Sequence, residues 1–123
     1  MAKVLIVDDA KIMQISISKI MKELNHDVVA MASSGYEGII EYKKHKPDFV
    51  TMDITMPKEQ GIEDGIEAVE HIMKFDPKAK IIMITSHGEQ EKVIKAIQSG
   101  ASNYMLKPLQ KQKLKEIIEK LNV

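Results

Sequence analysis

Phe49-Val50-Thr51-Met52-Asp53 is the stretch on which the reading of this 123-residue chain turns. Four strand-forming residues, three of them apolar, deliver a single carboxylate at their end. Two further runs finish on charged residues in the same way. Lys3-Val4-Leu5-Ile6-Val7 leads into Asp8-Asp9, and Asn103-Tyr104-Met105-Leu106 leads into Lys107-Pro108. Three carboxylates and one lysine therefore fall where strands stop. In an open parallel sheet, ligands bind at the carboxyl ends of the strands, so these distant segments are expected to build one site.

Moving outward from Asp53, short β-type runs alternate with longer segments of helical period five times over. That pattern belongs to an α/β fold, a doubly wound five-stranded parallel sheet with five helices. The expected strands are Lys3 to Val7, Val28 to Ala32, Phe49 to Asp53, Lys80 to Thr85 and Asn103 to Lys107. All but the second are almost continuously apolar, as strands buried on both faces should be, and the less bulky Val28-Val29-Ala30-Met31-Ala32 suits an edge. Met13, Ile17, Ile20, Met21 and Leu24 recur at helical spacing, as do Leu114, Ile117, Ile118 and Leu121. Ser34-Gly35-Tyr36-Glu37 has the form of a capping box that starts the second helix, and Lys46-Pro47-Asp48 stops it. Asp76-Pro77 ends the third helix. Ser99-Gly100 ends the fourth, with glycine suited to the residue after the cap.

The length suits one domain spanning residues 1–123, with a core that requires no metal or disulfide. Net charge is zero and the lysines are scattered, which argues against direct DNA binding. All 18 basic residues are lysine, so no guanidinium fork is available to grip a phosphate. There is no cysteine, which excludes disulfides and thiolate chemistry and fits a reducing compartment. No apolar run approaches the length of a membrane span. A soluble, cytoplasmic protein is expected.

Each residue at the strand ends also has a plainer reading. Asp8 and Asp9 can cap the next helix, Asp53 can be a turn aspartate before Met56-Pro57, and Lys107 can be a solvated turn lysine. Thr85 can be an ordinary strand residue and Tyr104 a core aromatic with a wet hydroxyl. Their conjunction is harder to dismiss. Two carboxylates ~4 Å apart repel by roughly 4 kcal/mol at an effective dielectric near 20, so a cluster of three requires protonation or a cation. An all-oxygen set with room for water and phosphate suits Mg²⁺ better than zinc or a closed calcium cage. A carboxylate so neutralised can attack phosphorus to give an aspartyl phosphate, with a lysine and a hydroxyl holding the transferred oxygens.

At this point the chain resembles the response-regulator receiver domains of two-component signalling, closest to the single-domain chemotaxis (CheY-like) type. The resemblance rests on Asp8-Asp9, on Asp53 within Met-Asp-Ile-Thr-Met-Pro, on Thr85 ending Ile-Ile-Met-Ile-Thr, and on Lys107-Pro108. It covers essentially the whole chain. It implies a flavodoxin-like sheet of order 2-1-3-4-5 and a phosphorylation-dependent switch that accepts a phosphoryl group from a sensor histidine kinase. By the resemblance, Asp53 is the phosphoacceptor; Asp9, Asp53 and the backbone carbonyl of Thr55 bind Mg²⁺, for which Mn²⁺ can substitute; and Asp8 acts through a metal-bound water. Lys107 and Thr85 hold phosphoryl oxygens, Tyr104 is the switch aromatic, and the Lys107-Pro108 bond is cis. Such a switch catalyses its own phosphorylation and dephosphorylation. Its readout surface is expected on the fourth helix, fifth strand and fifth helix, with Lys92, Lys95, Tyr104 and Lys111 as contacts. The expected partners are a kinase, a downstream target such as a flagellar motor or phosphorelay protein, and a phosphatase.

The chain departs from the family pattern in several places. Lys58-Glu59-Gln60-Gly61-Ile62-Glu63-Asp64-Gly65 is about four residues longer than usual, and the helical pattern Ile66, Val69, Ile72, Met73 favours Gly65 over Gly61 as the family glycine. The added residues either alter access to Asp53 or are a tolerated surface insertion. Gln14 stands where chemotaxis receivers commonly carry arginine, and Leu109 replaces a phenylalanine. Thr55 and His87 occupy positions that tune aspartyl-phosphate lifetime in the family. Three other functions compete: a flavin carrier, disfavoured because Asp8-Asp9 repels phosphate; a hydrolytic phosphatase, which wants an aspartate where Thr55 stands; and a pseudo-receiver that binds without phosphorylation.

Overall fold

The computed structural model describes residues 1–123, and its elements follow the sequence pattern closely. In chain order they are β1 (Lys3–Val7), α1 (Lys11–Glu23), β2 (Asp27–Ala32), α2 (Gly35–His45), β3 (Phe49–Met52), α3 (Gly65–Phe75), β4 (Ile81–Thr85), α4 (Gln90–Gln98), β5 (Asn103–Leu106) and α5 (Lys111–Lys120). The five strands are parallel, in the order β2-β1-β3-β4-β5. Asp53 and Lys107 thus stand one residue beyond their strands rather than within them.

Alternation along the strands builds two cores, because successive side chains point to opposite faces. Leu5, Val7, Val50, Met52, Ile81 and Met83 meet residues of α2, α3 and α4 on one face. Val4, Ile6, Phe49, Ile82 and Ile84 meet Ile17 and Met21 of α1 and Leu114, Ile117, Ile118 and Leu121 of α5 on the other. The sheet is therefore covered on both sides, with two helices on one face and three on the other.

β5 corrects one expectation. Its apolar run suggested burial on both faces, yet it is the second edge of the sheet, with only Met105 fully buried and Tyr104 exposed at 45 %. Tyr104 is thus not a core aromatic. β2 is the edge expected from its small side chains.

The helix ends follow local chemistry. Ser34 caps α2, its Oγ accepting from the Glu37 N–H at 3.1 Å, while Glu37 Oε1 accepts from the Ser33 N–H, one residue earlier than a regular capping box. Asp64 caps α3 in the same manner, accepting from the Glu67 N–H at 3.0 Å. Asp76 follows the last turn of α3, and Ser99 that of α4. No helix is long and apolar enough to cross a membrane.

The residues added before α3 are ordered. Glu59 and Ile62 exchange backbone hydrogen bonds of 3.1 and 2.9 Å across Gln60 and Gly61, both at positive φ, which makes a two-residue hairpin turn of the primed kind. Ile62 is buried in the larger core, and Ser34 Oγ donates to Glu59 Oε1. The hairpin is thereby pinned to the start of α2. Gly65 is the glycine that geometry demands, since a Cβ there would lie 1.9 Å from the carbonyl oxygen of Asp53. At Gly61 a Cβ would meet nothing within 4 Å.

Candidate functional site

The parallel register brings the ends of β1, β3, β4 and β5 to one rim of the sheet, where Asp8, Asp9, Asp53, Thr85 and Lys107 converge. One carboxylate oxygen from each of Asp8, Asp9 and Asp53 lies within 4.8 Å of the others. Lys107 Nζ reaches between two of these acids, 3.7 Å from Asp8 Oδ2 and 3.6 Å from Asp53 Oδ2. These separations are those of ion pairs and exceed hydrogen-bonding distance. The Lys107-Pro108 bond is cis.

Backbone bonds fix the rim. The N–H groups of Asp8 and Asp53 donate to Ala32 O and Val7 O, both at 3.0 Å, and the Lys107 N–H donates to Thr85 O at 2.8 Å. Asp8 Oδ1 accepts from the Ala10 N–H and Asp53 Oδ1 from the Ile54 N–H, each at 2.8 Å. Neither Asp8 nor Asp9 caps α1, whose cap is Ala10 without a side-chain bond. The capping alternative for this pair therefore falls. Gln14 is buried, and its amide donates to Asp8 O, Ala32 O and Ser33 Oγ, joining the ends of β1 and β2.

Electrostatics mark the acids as strained. Asp53 is pushed up to about 6, first by burial and then by the charge of Asp8, against the pull of Lys107 and the Ile54 N–H. Burial also raises Asp8, opposed by the Ala10 N–H and Lys107. Asp8 Oδ2 is buried without a hydrogen-bond donor. An orphaned buried carboxylate oxygen beside two other acids is the donor set of a hard divalent cation, so these residues fit Mg²⁺.

Thr85 is fully buried at the end of β4, and Thr55 lies two residues beyond Asp53. His87 is exposed. The side chain that reaches both threonines is instead Glu89, unremarked in the sequence. Thr55 Oγ1 donates to Glu89 Oε2 at 2.7 Å and Thr85 Oγ1 donates to Glu89 Oε1 at 2.8 Å. The signal available beforehand was Ser86-His87-Gly88, a short turn that can bring the next residue back over Thr85.

Residues 4–119 match the response regulator receiver domain family. The chain belongs to that family. The chemotaxis protein CheY of Listeria monocytogenes is 45 % identical over 120 residues, covering 98 % of each chain. Protein CcdB of Bacillus subtilis is 42 % identical over 121 residues, again covering 98 % of each. A CheX-CheY-BeF3-Mg²⁺ complex from Borrelia burgdorferi contains a chain that superposes with a TM-score of 0.90 at 35 % identity, over 98 % of this chain and 89 % of that one. This receiver is accordingly a phosphorylation-based signalling switch of two-component systems, of the CheY-like kind.

Proposed function

We propose that Asp53 accepts a phosphoryl group from the phosphohistidine of a sensor kinase, and that the receiver then changes its affinity for a separate target protein. The observation that supports this most directly is the placing of Lys107 between Asp8 and Asp53, at a rim where Asp9 brings a third carboxylate within 4.8 Å. Asp9, Asp53 and the Thr55 carbonyl would hold Mg²⁺ directly, and Asp8 through water. When bound, the ion neutralises the acids and the oxygens of the incoming phosphoryl group.

Every other role falls to the chain. An oxygen of the Asp53 carboxylate attacks phosphorus, forming an O–P bond while the N–P bond of a protonated phosphoimidazole breaks. Its electron pair returns to the ring nitrogen, and neutral imidazole leaves. Lys107, held near Asp53, donates to one transferred oxygen, and the Thr85 hydroxyl donates to another. The burial of Asp53 strips water from the acceptor, which strengthens both interactions. Tyr104, exposed on β5 beside an apolar groove of about 390 Å³ lined by Val93, Ile94, Ile97 and Leu106, gives the α4–β5 face a surface on which a target can read the change. The residues from 1 to 123 act as one receiver domain in the cytoplasm, and its CheY relatives favour an output in chemotaxis. A phosphatase partner would end the signal.

Incubation with acetyl phosphate and Mg²⁺ tests the reading. Intact mass should show one labile phosphoryl adduct, lost in Asp53→Asn and in metal-free protein. A folded wild-type chain that takes no phosphoryl group from acetyl phosphate or from a cognate kinase would instead support a binding module independent of phosphorylation.

A further inference from the structure

We infer that Glu89 is a positioning residue that holds the hydroxyls of Thr55 and Thr85 in the resting receiver and must release that of Thr85 when Asp53 carries a phosphoryl group. The inference rests on the reading of Asp53 as acceptor and Thr85 as its hydroxyl partner. A threonine hydroxyl has one proton to donate. In this structure both protons point to one carboxylate, with Thr55 at 2.7 Å and Thr85 at 2.8 Å from separate oxygens of Glu89. A phosphoryl oxygen on Asp53 needs the same Thr85 proton. The two anions are rivals for one donor.

Several features fit a hold that can be broken. Glu89 is itself partly exposed, so its carboxylate has water to turn to once released. Lys92 Nζ stands 3.7 Å from Glu89 Oε2 and can keep the released charge company. Two hydroxyls and the Lys92 ammonium converge on this carboxylate, which serves both threonines as an acceptor. Glu89 is also the residue immediately before α4, where a negative charge is favoured by the helix N-terminus wherever its side chain turns. Moving this one side chain therefore changes the rim of the site while its backbone stays at the start of α4.

The test uses the full chain, Glu89→Ala and Glu89→Gln, with ¹³C-labelled threonine methyl groups observed by NMR. In metal-free protein the Thr55 and Thr85 signals should both move in Glu89→Ala. Titration with beryllofluoride and Mg²⁺, a probe that mimics the phosphoryl group on an aspartate, should then saturate at a concentration about tenfold lower than in wild type. Glu89→Gln keeps an oxygen that can accept one hydroxyl, and its gain should be smaller. A merely structural role predicts loss, not gain. If wild type binds the probe and neither variant binds it more tightly, or if the methyl signals stay in place, the inference is overturned. If wild type neither binds beryllofluoride nor takes a phosphoryl group from acetyl phosphate, the acceptor reading falls and takes the inference with it.

Discussion

Two loops flank Asp53, and they are held by different physics. The β3–α3 loop is anchored by the buried side chains of Ile54, Met56 and Ile62, by the reciprocal Glu59–Ile62 backbone bonds and by Ser34. In the β4–α4 loop, Ser86, His87 and Gly88 are all exposed, and the side chain of Glu89 supplies its polar tie to the site. Apolar burial has no competitor in water, whereas a hydroxyl–carboxylate bond can be exchanged for another acceptor at little net cost. One loop is built to stay and the other to let go.

Gly65→Ala should show the largest effect on the rigid side. The added Cβ would meet backbone, not a side chain that can move aside, and a loss of about 3 kcal/mol or more is expected in denaturant unfolding. A near-neutral result would mean that the β3–α3 loop is as adaptable as its neighbour and would break the contrast.

Between the loops, Asp53→Asn should stabilise the metal-free protein by about 3 kcal/mol near neutral pH. The sign follows from burial. Below an ordinary value of 3.8 the carboxyl is protonated in both folded and unfolded chains, and no penalty exists. As pH rises through the folded value of about 6, the unfolded chain gives up its proton more readily and stability is lost. The advantage of Asn should therefore vanish toward pH 4 and shrink when Mg²⁺ is added, both measurable as shifts in thermal midpoint. A gain that ignored pH would place its origin in packing.

The smallest effect belongs to Gly61→Ala, which meets open space but must adopt φ of +81°. A cost of about 1 kcal/mol is expected from that strain alone. Unchanged phosphotransfer in this variant would sharpen the view that the hairpin is a pinned insertion and not a gate over Asp53.

The sequence was most legible where burial and chemistry coincide. Apolar runs ending in Asp8, Asp53 and Lys107 announced both the sheet and its loaded rim, because a charge at the end of a buried strand must have somewhere to go. The order of strands came from family likeness, since nothing in a run such as Tyr104-Met105-Leu106 tells whether another strand lies beyond it. That is why β5 was misjudged as buried on both faces. The hairpin was obscured because Gln60-Gly61 is a weaker turn signal than Asn-Gly. Glu89 escaped notice because its importance lies in a contact across the loop with Thr55, 34 residues away in sequence. One carboxylate among many gives no local sign of such a partner.

The amide of Gln14 has a kinetic consequence. It ties backbone carbonyls together without contributing charge, so with Asp53 ionised the three acids face only the Lys107 ammonium and two negative charges remain in excess. A phosphoryl donor, itself an anion, is repelled from such a rim until a divalent cation has cancelled the surplus. Binding should therefore be ordered, cation first and donor second. Raising donor concentration would then not substitute for missing metal.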